Sequence, residues 1–235
     1  MEIKTYKKEF KYSYSLGAFP TLELLNKHLD DVIDIYVHST FINKDVKEKI
    51  INRLGKEFKT NDRLIEKLSP KENCYIVGIF KKYKDKLDIN CDHLLLDNPS
   101  NMGNLGTIIR SSLGFGIKNI AVIKPGVDFF DPKTIRASMG SIFNINICYF
   151  DSVEDYKNEF NDHIIYSFML KANNTLQSFK FSKGLSTLAF GNEATGLPDS
   201  YLDKNSIIIK HSNEIDSLNI TNAVSIALYE FNRQK

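Results

Sequence analysis

The stretch Leu94-Leu95-Leu96-Asp97-Asn98-Pro99-Ser100-Asn101-Met102-Gly103-Asn104-Leu105-Gly106-Thr107-Ile108-Ile109-Arg110 decides the fold. The leucine run reads as a short buried strand. Asp97-Asn98-Pro99-Ser100-Asn101 breaks it with turn chemistry. Leu105, Ile108, Ile109 and Leu113 then recur at helical spacing, so the order is strand, loop, helix, with the helix running from Asn104 to Leu113. At 3.6 residues per turn, Arg110 stands roughly 125° from the middle of that apolar stripe. A guanidinium is therefore held on a helix, off its core face, behind a polar loop.

The pattern repeats outward from this stretch. Strand candidates are His93–Leu96, Asn119–Ile123, Ile145–Phe150, Ile164–Phe168, Thr187–Phe190 and Ser206–Ile209. Helices are expected over Pro132–Met139, Val153–Phe160 and Ile220–Phe231. Apolar strands alternating with helices predict an α/β fold: a mostly parallel sheet covered by helices on both faces. In such sheets ligands bind beyond the carboxyl ends of the strands, so the loops after strands deserve the closest reading.

Upstream, the sequence reads as a smaller α/β unit. A helix opened by Pro20-Thr21 precedes the strand Val32–Val37, and helices follow over Asn43–Leu54 and, capped by Asn61, up to Leu68. Tyr75–Phe80 is a second strand. Lys81-Lys82-Tyr83-Lys84-Asp85-Lys86-Leu87-Asp88 reads as a charged linker without a packing face, giving domains at 1–88 and 89–235. Residues 1–90 hold 18 Lys/Arg against 14 Asp/Glu, and residues 91–235 hold 13 against 15, so the front is mildly basic and suits a polyanion.

Composition excludes several classes. Cys74, Cys91 and Cys148 form no CxxC pair and suit a reducing cytosol. The five histidines have no paired metal spacing, so no metal is expected. Met1-Glu2-Ile3-Lys4 does not begin a signal peptide, and no apolar run is long enough to span a bilayer, so a cytoplasmic protein without a membrane partner is expected. There is no GxxxxGK[ST] phosphate loop, and Gly114-Phe115-Gly116 precedes a strand instead of opening a helix, which removes the dinucleotide-binding reading.

Two further loops carry chemistry. Gly191-Asn192-Glu193-Ala194-Thr195-Gly196-Leu197-Pro198 brackets a carboxylate between glycines, allowing a tight turn and close approach to a ligand. Ser217-Leu218-Asn219-Ile220-Thr221 opens the last helix, which either Ser217 or Asn219 is able to cap.

Taken in order, Asn104-x-Gly106-x-x-x-Arg110, Gly191-Asn192-Glu193-x-x-Gly196-Leu197 and Ser217-Leu218-Asn219-Ile220-Thr221 running into Leu228-Tyr229-Glu230 resemble the SpoU-type RNA ribose 2′-O-methyltransferases of the SPOUT superfamily. The thiostrepton-resistance and ribosomal-RNA branch is the nearest in look, through Gly103-Asn104-Leu105-Gly106. More loosely, Tyr14–Glu23 and Cys74–Phe80 resemble the small RNA-binding α/β domain that many members carry. The resemblance implies a C-terminal trefoil knot forming an S-adenosylmethionine pocket, and a homodimer in which one subunit's arginine faces the other's cofactor. It implies methylation of an RNA ribose 2′-hydroxyl, in ribosomal RNA by the two-domain layout. Transfer-RNA methylation and a non-catalytic RNA-binding relative are the alternatives.

By residue match, Gly191, Ile209 and Leu218 should touch the cofactor. Arg110 is the leading catalytic residue, with Asn219 and Ser217 orienting the hydroxyl and Asn104 fixing the loop. Glu193 either pairs with Arg110 or holds the loop through backbone N–H groups. A free guanidinium is protonated at neutral pH, so Arg110 is expected to bind phosphate and stabilise oxyanion character at O2′, not to act as a simple base. The family often has Pro-Met where this chain has Lys210-His211, so the cofactor loop is expected to be shaped differently, with Lys210 an exposed strand-end lysine. Tyr12, Tyr14 and Phe19 are candidates for stacking on bases.

Overall fold

A computed structural model describes residues 2–69 and 73–235. In chain order the first elements are β1 (Tyr12–Leu16), α1 (Ala18–Lys27), β2 (Val32–Val37), α2 (Lys44–Leu54), α3 (Asp62–Leu68) and β3 (Ile76–Lys81). Then come β4 (His93–Asp97), α4 (Met102–Gly114), β5 (Asn119–Ile123), α5 (Pro132–Ala137), β6 (Asn146–Phe150), α6 (Val153–Glu159) and β7 (Ile164–Ser167). The last are β8 (Asn174–Thr175), β9 (Ser186–Phe190), β10 (Ile207–Ile208) and α7 (Ile220–Gln234).

The chain divides into two compact units. One runs to Tyr83 and also takes in Asp128–Asn144; the other is Lys84–Val127 with Ile145–Lys235. The charged stretch 81–88 does have packing residues. Tyr83 lies 5.0 Å edge-on from Phe130 in the first unit, and Leu87 is buried in the core of the second. Both pack because apolar side chains in a charged run still find apolar surface, a contact that charge counting overlooks.

The first unit holds an antiparallel sheet in the order β1-β3-β2. Leu25, Ile35, Val37, Ile50 and Ile76 form one of its apolar clusters; Tyr14, Leu16, Ile65, Leu68, Val77 and Ile79 belong to another. Tyr14 is therefore core, its hydroxyl accepting from the Tyr6 N–H. That removes it from the stacking candidates. Phe19 stays 56% exposed.

The second unit holds a five-stranded, all-parallel sheet in the order β6-β5-β4-β9-β7. Leu94, Leu95 and Leu96 have no exposed surface, as a central strand covered on both faces requires. The candidate strand 206–209 is not one of its five strands, touching it only through a parallel bridge from Ile207 to Phe168, just beyond β7. Only Ile207–Ile208 is extended, and it pairs in parallel with the two-residue β8.

At the start of the parallel strands lies a buried polar chain. The His93 Nδ1 and the Thr187 Oγ1 both meet the Tyr156 hydroxyl, at 2.8 and 2.6 Å, and the His163 Nδ1 is 2.9 Å from Thr187 Oγ1. Burial, with a smaller push from the neighbouring His163 ring, lowers the His93 pKa to about 4, the Asp88 carbonyl, Asp92 and Asp88 opposing this only in part. Between pH 6.5 and about 4 the unfolded chain binds a proton that folded His93 refuses, so stability falls as the pH falls through that window. We expect a loss of about 3 kcal/mol at the acid end, read as a drop in urea midpoint that a His93→Gln variant does not show.

Candidate functional site

The topology switches at β4. The chain moves outward through β5 and β6, then returns on the other side through β7 and β9. β4 and β9 are thus neighbours, and the loops after them open side by side at the switch point, where α/β sheets bind ligands.

Asn101 caps α4, its Oδ1 accepting from the Asn104 N–H at 3.0 Å, so the helix begins at Met102, two residues before the sequence reading placed it. Glu193, from the loop after β9, closes the two loops together. Its Oε2 accepts from the Ser100 N–H and hydroxyl at 3.0 and 2.6 Å, and its Oε1 from the Asn101 N–H and Asn104 Nδ2, both at 3.2 Å. Burial alone would raise this carboxyl's pKa, but the donors from Ser100, Glu193's own N–H and Asn104 outweigh it and hold the pKa below the ordinary value. Of the two expected roles for Glu193, this is the loop-holding one. Glu193→Gln replaces an acceptor oxygen with an NH2 facing donors and should cost about 1–2 kcal/mol in a denaturation series.

The loop after β9 turns back on itself. Asn192 Oδ1 accepts from the Ala194 and Thr195 N–H groups, its Nδ2 reaches the Asn98 carbonyl, and Gly196 takes φ +70°. A Cβ at Gly191 would fall on the Gly196 carbonyl carbon and the Leu197 nitrogen. The glycine is needed by the loop's own return leg.

Around this loop lies a cavity of about 460 Å³, lined by segments 168–171, 190–199 and 207–209 with His211, Ser217, Leu218, Ile220 and Ala223. Gly191, Ile209 and Leu218 all line it, as do Ser217 and Glu193. The sequence reading missed Phe168, whose ring stacks on Phe190 at 4.5 Å, and Lys171, paired with Asp199 at 2.9 Å. The rule that pointed to loops after strands applies equally to the loop after β7 and would have found both.

Asn219 caps α7, its Oδ1 accepting from the Thr221 N–H and hydroxyl at 2.9 and 2.6 Å. That leaves Ser217 free of the capping role and on the cavity wall. Arg110, Asn104 and Asn219 are not among the lining residues. Arg110 is exposed on α4, and among the described residues no hydrogen bond or ion pair engages its side chain. Lys210 is exposed and off the cavity wall, whereas His211 lines it with Nδ1 2.9 Å from the Ile209 carbonyl.

Residues 93–229 match the model of the SpoU rRNA Methylase family. The chain belongs to that family. Among its relatives is the 23S rRNA (uridine(2479)-2′-O)-methyltransferase of Streptomyces viridochromogenes, 28% identical over 178 residues, which are 71% of this chain and 62% of that protein. The chain thus spans less than two thirds of the length of that relative. The SpoU family methyltransferase AviRb of the same organism, solved with the cofactor AdoMet, superposes with a TM-score of 0.82 at 22% identity, over 95% of this chain and 90% of that one. This likeness establishes the α/β methyltransferase fold. A structure solved for 2-OH methylation of C/U34 on tRNA matches 63% of this chain and 97% of its own at 25% identity, with a TM-score of 0.56. Among the described residues no helix of this SpoU member is long and apolar enough to cross a membrane, and no three His, Cys, Asp or Glu side chains gather as a metal site.

Proposed function

We propose that the chain transfers a methyl group from S-adenosylmethionine to an RNA ribose 2′-hydroxyl, with ribosomal RNA as substrate. The cavity walled by the loops after β7, β9 and β10 carries this reading. Its size and largely apolar wall with few polar groups suit a small-molecule cofactor. The crossing at Gly191 lets the loop fold back tightly on itself, its return leg filling the space that a side chain there would need. Gly191, Ile209 and Leu218 would hold the adenosine part of the cofactor, whose sulfonium supplies an electrophilic methyl group when bound.

The protein's own contribution is position and charge. Ser217, on the cavity wall, would orient the ribose hydroxyl. Asn219 retains its amide nitrogen as a donor after capping α7. Arg110 would grip the phosphate beside the target ribose and stabilise the negative charge that develops on O2′ as its proton leaves. Because Arg110 stands off the cavity wall with its guanidinium unengaged, we assign it to the cavity of a second copy. Ile226 and Tyr229, 42% and 60% exposed on one face of α7, provide apolar surface for such a homodimer.

The family's C-terminal trefoil knot belongs to the same proposal. The chain leaves β9 and pairs at Ile207–Ile208 with β8, Ile207 also bridging Phe168 just beyond β7, before entering α7. The basic front unit, expected to span 1–88 and to supply RNA affinity, favours ribosomal RNA over transfer RNA. The tRNA-related structure has 97% of its length matched by 63% of this chain, so its match leaves over a third of this chain unaccounted for. Free Cys74, Cys91 and Cys148 fit a cytoplasmic site of action.

The test is labelled methyl transfer to total RNA, with the product mapped by resistance of the adjacent linkage to alkali. Label confined to 23S or 16S RNA at an alkali-resistant step is expected. Label in transfer RNA alone would overturn the assignment of substrate, and no label in any RNA would overturn the activity.

A further inference from the structure

The first unit presents an apolar pair that its core does not use. Phe19, in the first turn of α1, is 56% exposed, and Met139, in the turn after α5, is 40% exposed. The segments that carry them meet one residue further along each, at Gly140 and Pro20. A Cβ at Gly140 would lie 2.9 Å from Pro20 Cα and 3.1 Å from Glu23 Cβ, so the turn is pressed directly against α1. Gly140 accepts φ +82° without cost, but Met139 is also held in the left-handed region, at φ +52°. A methionine there is strained where glycine or asparagine would not be, and strained residues cluster at functional surfaces.

The charge beside the pair suits a polyanion. Arg136 is one turn before Met139, whose N–H donates to the Arg136 carbonyl at 3.0 Å. Among the described residues no hydrogen bond or ion pair engages the Arg136 side chain. Lys133 is exposed on the same helix. Two carboxylates lie nearby, each with a donor of its own: Glu23 accepts from Asn144 Nδ2 at 2.7 Å, and Asp131 caps the helix by accepting from the Lys133 N–H at 2.8 Å.

We propose that Phe19 and Met139 form a platform on which one unpaired base of the RNA stacks, with Arg136 and Lys133 holding its flanking phosphates. This deepens the RNA-methylation reading and rests on it for the biological substrate: the RNA is recognised in a single-stranded loop, not as a duplex. Aromatic faces accept any unstacked base, polarisable thioethers pack well beside π systems, and duplex bases offer no free face.

The chain contains no tryptophan, so Phe19→Trp introduces a single indole at the platform, which is excited selectively beside the eleven tyrosines. The probe is oligoadenylate, titrated at low salt as a single strand and as a duplex with oligouridylate. Single strands should quench F19W while the duplex does not. The control Ile42→Trp, at a position 88% exposed elsewhere in the same unit, should stay unquenched. Adding Met139→Gly to F19W should weaken the titration roughly 10-fold. The same change relieves the left-handed strain, so the melting temperature should hold or rise and misfolding is excluded as the cause. Equal quenching of F19W and I42W, no quenching of F19W, or an unchanged affinity with M139G would each overturn the platform. Absence of methyl transfer by the wild type would instead overturn the activity, and leaves F19W-specific quenching as support for the platform.

Discussion

Arg110→Ala should cut methyl transfer by at least about 100-fold while leaving the affinity for S-adenosylmethionine unchanged. The split follows from where the residue stands. Arg110 is exposed on α4 and is not part of the cavity wall, so nothing that binds cofactor within one chain is removed with it. Its side chain has no structural partner among the described residues, so the fold should not notice the change. What disappears is a positive group free to meet a phosphate and the developing charge on O2′. Arg110→Lys should recover little, because an ammonium lacks the fork that grips two phosphate oxygens at once. Cofactor binding measured by calorimetry beside single-turnover methyl transfer separates the two quantities. Equal loss of both would show that Arg110 holds the cofactor and would sink the assignment.

Gly191→Ala should have the opposite signature: loss of cofactor binding, with turnover falling as a consequence. The methyl group would occupy the space of the Gly196 carbonyl carbon and the Leu197 nitrogen, which are backbone atoms without a rotamer to yield. The loop would have to open, withdrawing Glu193 from Ser100, Asn101 and Asn104 and unlocking the two loops from each other. Affinity for S-adenosylmethionine should drop by at least about 100-fold, equivalent to about 3 kcal/mol. Gly196→Ala is the informative companion. A Cβ there meets nothing within 4 Å, so its penalty comes only from φ +70° and should be about 1 kcal/mol. If the two variants behaved alike, the crossing at Gly191 would not be what shapes the cavity.

Much of the second unit was legible because its signals are local. Asn119–Ile123 is a strand over the residues that its unbroken apolar run marks, and all three chemistry-bearing loops follow from turn residues set between periodic segments. Asn61 was readable as a cap for the same reason. β1 was not legible, because Ser13 and Ser15 alternate with its apolar residues and look solvent-facing. Both are buried, with Ser13 donating to the Phe130 carbonyl and Ser15 bonded to Thr21, partners that sequence does not announce. Asp128–Asn144 likewise carries no mark that it packs with the first unit, since ordinary helical periodicity says which face is apolar and not what it meets. In the site, it was the family resemblance that pointed to Gly191, Ile209, Leu218 and Ser217, all of which line the cavity. Residue types alone did not. They did not predict that Glu193 would be absorbed by four donors, which depends on β4 and β9 lying side by side across a long separation in sequence.

That adjacency also sets an order of events as the chain emerges from the ribosome. β4, β5 and β6 are able to assemble early, but β9 is the strand that fits between β4 and β7. Until Ser186–Phe190 has been synthesised, one edge of β4 is bare, and it is a strand of leucines. Such an edge invites pairing with another nascent chain. The insertion that brings the loop after β9 to the ligand cavity is therefore also the step that covers the bare edge of β4.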